Sequence, residues 1–393
     1  MTHQKASSWP GLTRPPSART SVRVKESISS EATPVATQKS LGRADARPLG
    51  GRVKPGHDDL WLDKVAERYA FAITPAIATL IDRNYPHDPI ARQFMPDPRE
   101  LDHRPEESPD PIGDNRHSPV EGVVHRYRDR ALLKVVHICP VYCRFCFRRE
   151  MIGPNGEPSL SPQALDRAIA YIESHSEIRE VILTGGDPFI LSARRVLQLT
   201  NRLAAIAHVK TLRWHTRLPI VDPQRITEEF VAALKSASAA TYVAIHANHP
   251  REFTPAARTA CARIGRAGIA MLSQSVLLKG VNDDVDVLES LMRAFVENRI
   301  KPYYLHHADL APGTSHFRTT IDEGLALMRA LRTRLPGAAL PTYVLDIPGG
   351  YSKANLESDA LEIAPNGAIR VRDDDGVWHH YHGELGHKST VRL

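Results

Sequence analysis

The sequence predicts an α/β fold built on a parallel sheet, because short apolar runs alternate with amphipathic helical patterns. Six runs have the length of strands, at residues 131–138, 180–184, 211–216, 241–246, 271–278 and 301–306. Helical patterns lie between them, for example at residues 161–175, 227–237 and 254–267. Strands joined by helices through right-handed crossovers pair in parallel, and six such units are fewer than the eight that close a barrel.

A basic tail precedes the first helical pattern. Residues 1–57 hold ten Lys and Arg but three Asp and Glu, out of 51 and 45 in the chain, so the remainder is nearly neutral. Their few large apolar groups cannot offset the entropy of ordering, which predicts a disordered tail. A transit peptide, or a translation start placed too early, would also explain an Arg-rich and acid-poor segment.

Residues 58–119 predict a helical cap followed by a connection. Apolar residues recur at three- and four-residue steps between Leu60 and Ile81, with breaks at Pro75 and Pro86. Residues 95–119 are rich in Pro, Asp and Glu, which is typical of an extended connection. The sheet domain is then expected at 120–340. Residues 341–393 predict a C-terminal extension with a seventh strand-like run at 341–347 and a hairpin at 368–372 and 377–381.

Composition also restricts the cellular setting. No apolar run is long enough to cross a membrane, and the N-terminus lacks the apolar core of a secretory signal. Of four cysteines, three share one loop and Cys261 stands alone in a helical pattern, as a small core residue would. Such cysteine usage favours a reducing compartment. We therefore expect a cytoplasmic protein that binds neither a membrane nor nucleic acid.

Three cysteines lie in one turn-sized loop directly after the first apolar run. Cys139, Cys143 and Cys146 are soft ligands, which suit zinc or an iron–sulfur cluster. Zinc needs a fourth ligand, and His137 belongs to the predicted strand, while the paired Cys-x-x-Cys knuckles of common zinc sites are missing. Three thiolates suit a four-iron cluster with one open iron. A structural metal knuckle or three buried thiols remain alternatives.

Further polar residues lie at or near the ends of the other predicted strands. Because chemistry in such folds gathers at the carboxyl ends of parallel strands, they are candidates for one site. Paired glycines let a backbone approach a ligand closely, although they also suit an ordinary turn. Lys353 lies in a Gly-rich loop after the seventh run, where a solvated surface lysine is the alternative. The other candidates are Gly185, Gly186, Asp187, His215, Arg217, His246, Gln274 and Asp309.

The cysteine loop resembles that of the radical S-adenosylmethionine (SAM) enzymes. The resemblance implies an open partial (βα)6 barrel, with the N-terminal helical cap and the C-terminal extension outside it. It also implies a [4Fe-4S] cluster on the three loop cysteines and SAM bound to the free iron. The backbone of Gly185, Gly186 and Asp187 then binds the methionine amino group, and His246 and Gln274 line the SAM pocket.

Motifs from about residue 124 to 355 more closely resemble lysine 2,3-aminomutases. This resemblance implies an isomerase that exchanges an amino group and a hydrogen between C2 and C3 of L-lysine, giving β-lysine. The motifs are Cys139-Pro-Val-Tyr-Cys143-Arg-Phe-Cys146-Phe-Arg148-Arg149, His215-Thr-Arg217-Leu-Pro, Ser273-Gln274-Ser-Val-Leu-Leu-Lys-Gly-Val-Asn-Asp283, Pro302-Tyr-Tyr, Asp309-Leu, His316-Phe-Arg318-Thr and Pro341-Thr-Tyr-Val-Leu-Asp346-Ile-Pro-Gly-Gly.

The same resemblance implies roles for the remaining site residues. Lys353 holds pyridoxal 5′-phosphate (PLP) as a Schiff base and is the catalytic residue. Arg126 and Arg130 bind the PLP phosphate, because a guanidinium group can donate two hydrogen bonds to a phosphate group. Arg148 binds the α-carboxylate of the substrate, and Asp309 and Asp346 bind the ε-ammonium group of the substrate.

The chain departs from the clostridial-type enzymes in its zinc ligands. Asp284 stands where those enzymes carry a cysteine, and no cysteine lies beyond Cys261. Zinc is therefore not expected, which puts the family's zinc-stabilised dimer in doubt, although we expect a homo-oligomer. The partners that the resemblance implies are L-lysine and an electron donor such as flavodoxin or ferredoxin.

Three alternatives remain open at this point. One is the related bacterial enzyme that makes β-lysine for elongation factor P. Another is a glutamate 2,3-aminomutase, which is disfavoured because two acids would repel its side chain. The third is a non-enzymatic protein with a structural metal site, which explains the cysteines but not Lys353, Arg148 or the paired aspartates.

Overall fold

The computed structural model describes residues 60–85, 87–153 and 157–383. The tail predicted for residues 1–57 lies outside these ranges. A search of the described residues finds no helix that combines the length and the hydrophobicity needed to span a membrane.

A sheet of nine strands, ordered as in the chain, forms the centre of the fold. The strands are β1 Val123–Tyr127, β2 Arg130–Val136, β3 Glu180–Gly185, β4 Thr211–Thr216, β5 Ala240–His246, β6 Ala270–Val276, β7 Ile300–His306, β8 Thr342–Asp346 and β9 Lys353–Asn355. Strands β2 to β8 run parallel, while β1 and β9 pair antiparallel at the two edges. The sheet is therefore an open, curled half-barrel of mixed strands.

The described helices include three that precede the sheet, and the others follow its strands in the predicted alternation. They are α1 Leu60–Arg68, α2 Pro75–Ala78, α3 Pro89–Phe94, α4 Pro162–Ser174, α5 Ala193–Ala204, α6 Leu218–Val221, α7 Glu228–Leu234, α8 Pro255–Arg266, α9 Val285–Glu297 and α10 Ile321–Arg334. Helices α4, α5, α7, α8, α9 and α10 join consecutive parallel strands, which gives six strand–helix units. The predicted partial (βα)6 barrel is confirmed.

Side-chain caps fix where these connecting helices begin. Ser161 accepts a hydrogen bond from the backbone of α4 with Pro162 as the first helical residue, and Thr227 caps α7 in the same way. Asp284 caps α9, since its Oδ1 accepts from the backbone nitrogen atoms of Asp286 and Val287 at 2.9 and 3.1 Å. Asp284, which the resemblance to the clostridial-type enzymes singled out, therefore caps a helix in this chain.

Two edge strands and a small second sheet complete the fold. The second sheet consists of β10 Leu361–Ile363, β11 Ile369–Arg372 and β12 Trp378–Tyr381, and its last two strands are the predicted hairpin. Strand β9 was not predicted. It pairs with the end of β8, so that Lys353 lies opposite Asp346. This pairing places the Gly-rich loop at the carboxyl edge of the sheet.

The connection before β1 packs against that Gly-rich loop. Gly113 has φ of +66°, and a Cβ there would lie 2.6 Å from Gly349 backbone atoms, so no larger residue fits without displacing the loop. The connection also contains short 3₁₀ helices at Pro98–Leu101 and Asn115–His117. Because Gly113 packs against Gly349, the connection helps to position the loop that carries Lys353.

Candidate active site

A cavity of about 380 Å³ opens at the carboxyl ends of the parallel strands. It collects residues that are distant in the chain, from the cysteine loop, from the ends of β3 to β8 and from β9. Every residue predicted from the sequence to hold the cluster, a cofactor or the substrate lies on its wall. They are Arg126, Arg130, Cys139, Cys143, Cys146, Arg148, Gly185, Gly186, Asp187, His246, Gln274, Asp309, Asp346 and Lys353.

The three loop cysteines lie on one side of this cavity as free thiols. Burial raises the pKa of all three, that of Cys146 to about 11, so the free thiols are neutral. In the described part of the chain, no three His, Cys, Asp or Glu side chains converge as a single metal ion requires. A four-iron cluster bonds each thiolate to a different iron, so it needs three soft donors, which one loop supplies here. The loop fits such a cluster.

A buried carboxylate anchors the cysteine loop from behind. Glu100, from the connection, accepts hydrogen bonds from Arg144 Nε at 2.9 Å and 3.1 Å, and it also pairs with Arg149. The backbone nitrogen of Arg144 donates to Gln93 O at 2.8 Å. Removing one partner would leave a buried charge unpaired, which makes this network costly to break. The loop is therefore held in shape by the protein before any cluster binds.

The glycine pair at the end of β3 packs against the segment that leads from β2 into the cysteine loop. A Cβ on Gly185 would lie 2.4 Å from Val136 O, and one on Gly186 would lie 2.2 Å from Ile138 O. The Gly186 nitrogen also donates to Val136 O at 2.6 Å. The close approach of these two chain segments therefore requires glycine at both positions. This packing requirement is separate from the ligand contact that the sequence suggested.

Asp187 uses its carboxylate within the protein. It accepts hydrogen bonds from Thr216 Oγ1 at 2.7 Å, from the backbone of Arg217 at 2.8 Å and from Phe189 at 3.0 Å. These bonds tie the end of β3 to the end of β4. Any contact between this motif and a bound amino group would therefore involve backbone carbonyls, because an ammonium group donates hydrogen bonds.

Two half-buried histidines line the cavity, and each has a buried nitrogen atom without a hydrogen-bond partner. Within the described residues, neither His215 Nε2 nor His246 Nε2 has a hydrogen-bond partner. Burial lowers the pKa of both rings, that of His246 to about 3, so both are neutral. Buried polar atoms without a partner cost free energy, and a ligand with polar groups would remove that cost. The residues present therefore fit a cofactor such as SAM in this region.

Asp346 is the centre of the opposite wall. It pairs with Lys353, accepts from His306 Nδ1 at 3.2 Å and lies 3.7 Å from Arg126 Nη1. Burial alone would raise the pKa of Asp346, but Lys353 and His306 outweigh burial and hold that pKa well below its usual range. Asp346 is therefore ionised at neutral pH.

Asp309 behaves in the opposite way although it lies on the same wall. Burial, reinforced by the neighbouring charge of Asp346, raises the pKa of Asp309 to about 8. Two nearby carboxyl groups without enough positive charge do not both ionise. Asp309 is thus protonated at neutral pH in the ligand-free protein.

Arg148 is held by a carboxylate that the sequence did not single out. Asp114 is fully buried, and its Oδ2 accepts from Arg148 Nε at 2.9 Å, while its Oδ1 lies 3.5 Å from Arg126 Nη2. Asp114 thereby lies beside both Arg148, which the sequence assigned to the substrate carboxylate, and Arg126, which it assigned to the PLP phosphate. The signal was hidden because Asp114 lies in a connection rich in acidic residues.

The two arginines predicted for a phosphate differ in their surroundings. Arg126 is buried, and its Nε has no hydrogen-bond partner among the described residues. Arg130 is about one-third exposed; it pairs with Asp129 and lies 4.6 Å from the centre of the Tyr127 ring. An unpartnered guanidinium nitrogen at the cavity wall, near the amine of Lys353, fits an anionic cofactor such as PLP.

Comparisons with known proteins agree with this geometry. The family model of the radical SAM superfamily matches residues 133–291. A putative L-lysine 2,3-aminomutase of Aquifex aeolicus is 42% identical over 73% of this chain and 78% of its own length. This degree of identity decides the family.

The chain belongs to the lysine 2,3-aminomutase family of the radical SAM superfamily. It is similar to the L-lysine 2,3-aminomutase of Clostridium subterminale, at 38% identity over 78% of this chain and 73% of that protein. It is also similar to a glutamate 2,3-aminomutase of Clostridioides difficile, at 36% identity over 80% of this chain and 74% of that protein. The protein is therefore an isomerase, a radical SAM aminomutase that uses an iron–sulfur cluster and SAM.

Proposed function

We propose that this aminomutase acts on L-lysine, gives β-lysine and carries PLP on Lys353. The observation that carries the proposal is the meeting of Asp309, Asp346 and Lys353 on one cavity wall. Two carboxyl groups together with one amine suit a substrate whose side chain ends in an ammonium group. A glutamate side chain would instead face the ionised Asp346.

Each residue then has a task in positioning the substrate. When bound, the cluster and SAM supply radical chemistry, and PLP supplies the electron-accepting ring that nitrogen migration needs. Arg148, oriented by Asp114, binds the substrate α-carboxylate. Asp346 becomes available to the substrate ammonium when Lys353 Nζ is engaged elsewhere, as it is when it carries PLP. The cavity walls exclude water from the reaction.

Comparison of three substrates tests the proposal. We expect the purified enzyme, loaded with iron and sulfide under anaerobic conditions and supplied with SAM, PLP and a chemical reductant, to convert lysine. Glutamate and alanine should react at least about 100-fold more slowly, because a site built for a buried charge rejects a substrate that leaves it unpaired. Product formation measured by mass spectrometry decides the result. Equal rates with lysine and glutamate would contradict the assignment of lysine.

A second expectation concerns the attachment of PLP. Borohydride reduction of the PLP-loaded enzyme should fix the cofactor to Lys353 and to no other lysine, because this amine lies on the cavity wall beside Arg126. Peptide mapping after proteolysis locates the label. A Lys353→Ala variant should lose the label and the turnover but keep the cluster. Label on another residue, or an undiminished label in the variant, would show that the attachment site lies elsewhere.

A further inference from the structure

Arg217 is a buried arginine that contacts a cysteine of the cluster loop. It lies between the end of β4 and the start of α6, and its Nη1 donates to Cys143 Sγ at 3.0 Å. Its Nη2 donates to Glu252 Oε2 and to Gln93 Oε1, each at 2.6 Å. The side chain is thus oriented from two sides, with one nitrogen directed at sulfur.

The surroundings keep the guanidinium group in this place. Its plane lies near the rings of Phe94 and Phe145, at 4.6 and 5.5 Å from their centres. Glu252 is fully buried, and its second oxygen accepts from the backbone nitrogen atoms of Asn248 and His249, each at 2.9 Å. Because these partners are themselves satisfied, Arg217 cannot turn away from Cys143 without leaving a buried charge unpaired.

The contact makes the three cysteines unequal. Within the described residues, Cys143 is the loop cysteine whose sulfur accepts a hydrogen bond from a charged side chain. The guanidinium group carries its positive charge 3.0 Å from this sulfur, so it favours negative charge on the sulfur. Hydrogen bonds to sulfur are one of the means by which a protein sets the reduction potential of an iron–sulfur cluster.

We propose that Arg217 is a positioning residue whose hydrogen bond to Cys143 raises the reduction potential of the cluster. This proposal rests on the family's cluster being held by the three loop cysteines. Reduction adds one electron from an external reductant and breaks no bond, so the cluster becomes more negative. A fixed cationic donor at one ligand sulfur stabilises that added charge.

Potentiometric titration, followed by the electron paramagnetic resonance signal of the reduced cluster in the absence of SAM, tests the proposal. Arg217→Gln should shift the midpoint to a more negative potential, and Arg217→Lys should shift it less. The double variant Arg217→Gln, Glu252→Gln removes both charges together and leaves no unpaired buried ion, so it should still be more negative than the wild type. Glu252→Gln alone should shift the midpoint in the positive direction.

The midpoint is expected to shift in opposite directions in Arg217→Gln and Glu252→Gln. These opposite shifts distinguish an electronic role from a structural one, because a distorted loop would not produce shifts of opposite sign. A wild-type midpoint in the Arg217→Gln and double variants, at full iron content, would overturn the proposal. If the Arg217 variants hold no iron, an unchanged or lower midpoint in Glu252→Gln would overturn it. Absence of iron from the wild type as well would instead contradict the cluster on which it rests.

Discussion

Replacing any one of Cys139, Cys143 or Cys146 with alanine is expected to abolish turnover. In the proposed site each thiolate would hold a different iron of the cluster, so two remaining ligands would leave a second iron open and the cluster unstable. The expected loss is complete within the detection limit, since no other described side chain on the cavity wall offers a soft ligand at the same place. Iron content, visible absorption and product formation measure the effect under anaerobic conditions.

Cys261 provides the matched control for these variants. It is fully buried in α8 and is absent from the cavity wall, so Cys261→Ala removes a thiol of the same kind without touching the loop. Losing one buried sulfur costs about 1 kcal/mol of stability and should leave iron content and turnover near those of the wild type. A loop variant that keeps both iron and turnover, or a wild-type protein that holds zinc and no iron, would contradict the assignment.

The strands and helices of the half-barrel could be predicted because their signal is local. Apolar runs such as 180–184 and the cap at Ser161 depend on residues that are adjacent in the chain. Strand β9 could not be predicted in this way. It is three residues long, contains Lys353 and Asn355, and exists because its backbone pairs with β8. Pairing between distant segments leaves no periodic pattern in either one.

The site residues that belong to a distinctive motif could be predicted from the sequence. The residues that hold those motif residues in place could not. The loop cysteines and Lys353 belong to recognisable motifs, and they line the same cavity. Glu100 and Asp114 come from an acidic connection whose composition is that of an exposed segment, yet both are fully buried against arginines. Their burial depends on packing that composition does not encode. The contact between Arg217 and Cys143 was hidden for the same reason.

The ionisation states of Asp309 and Asp346 also needed the structure. Both are aspartates at or just after the end of a strand, and the resemblance assigns them one shared task. The structure makes them different, because Lys353 and His306 contact Asp346, while no ion pair to Asp309 is found among the described residues. The pKa of Asp309 is accordingly raised to about 8, and that of Asp346 is lowered.

Neutralising either aspartate is expected to reduce lysine turnover strongly. Asp309→Asn and Asp346→Asn each remove one carboxylate from a buried ammonium group, and truncating one partner of a buried charge pair costs about 2–5 kcal/mol. This corresponds to a loss of about 30-fold to several thousand-fold in kcat/KM. The cluster absorption should remain, because among the described residues neither aspartate forms a hydrogen bond or an ion pair with a loop cysteine. Asp166→Asn, in an exposed pair with Arg202, should have little effect and serves as the control.

The pH dependence distinguishes the two acids. A pKa of about 8 means that Asp309 holds a proton at neutral pH and must release it when an ammonium group binds beside it. Below pH 8 that release opposes binding, so the KM for lysine should rise as the pH falls from 8 to 6. Asp309→Asn has no such proton, so its KM should change less over this range. Asp346→Asn should retain a dependence that is shifted to lower pH, because the charge of Asp346 helps to raise the pKa of Asp309. Steady-state kinetics at controlled pH measures these slopes. If both Asn variants keep near-normal activity on lysine, or if the slopes of the wild type and Asp309→Asn coincide, these residues do not recognise the substrate side chain.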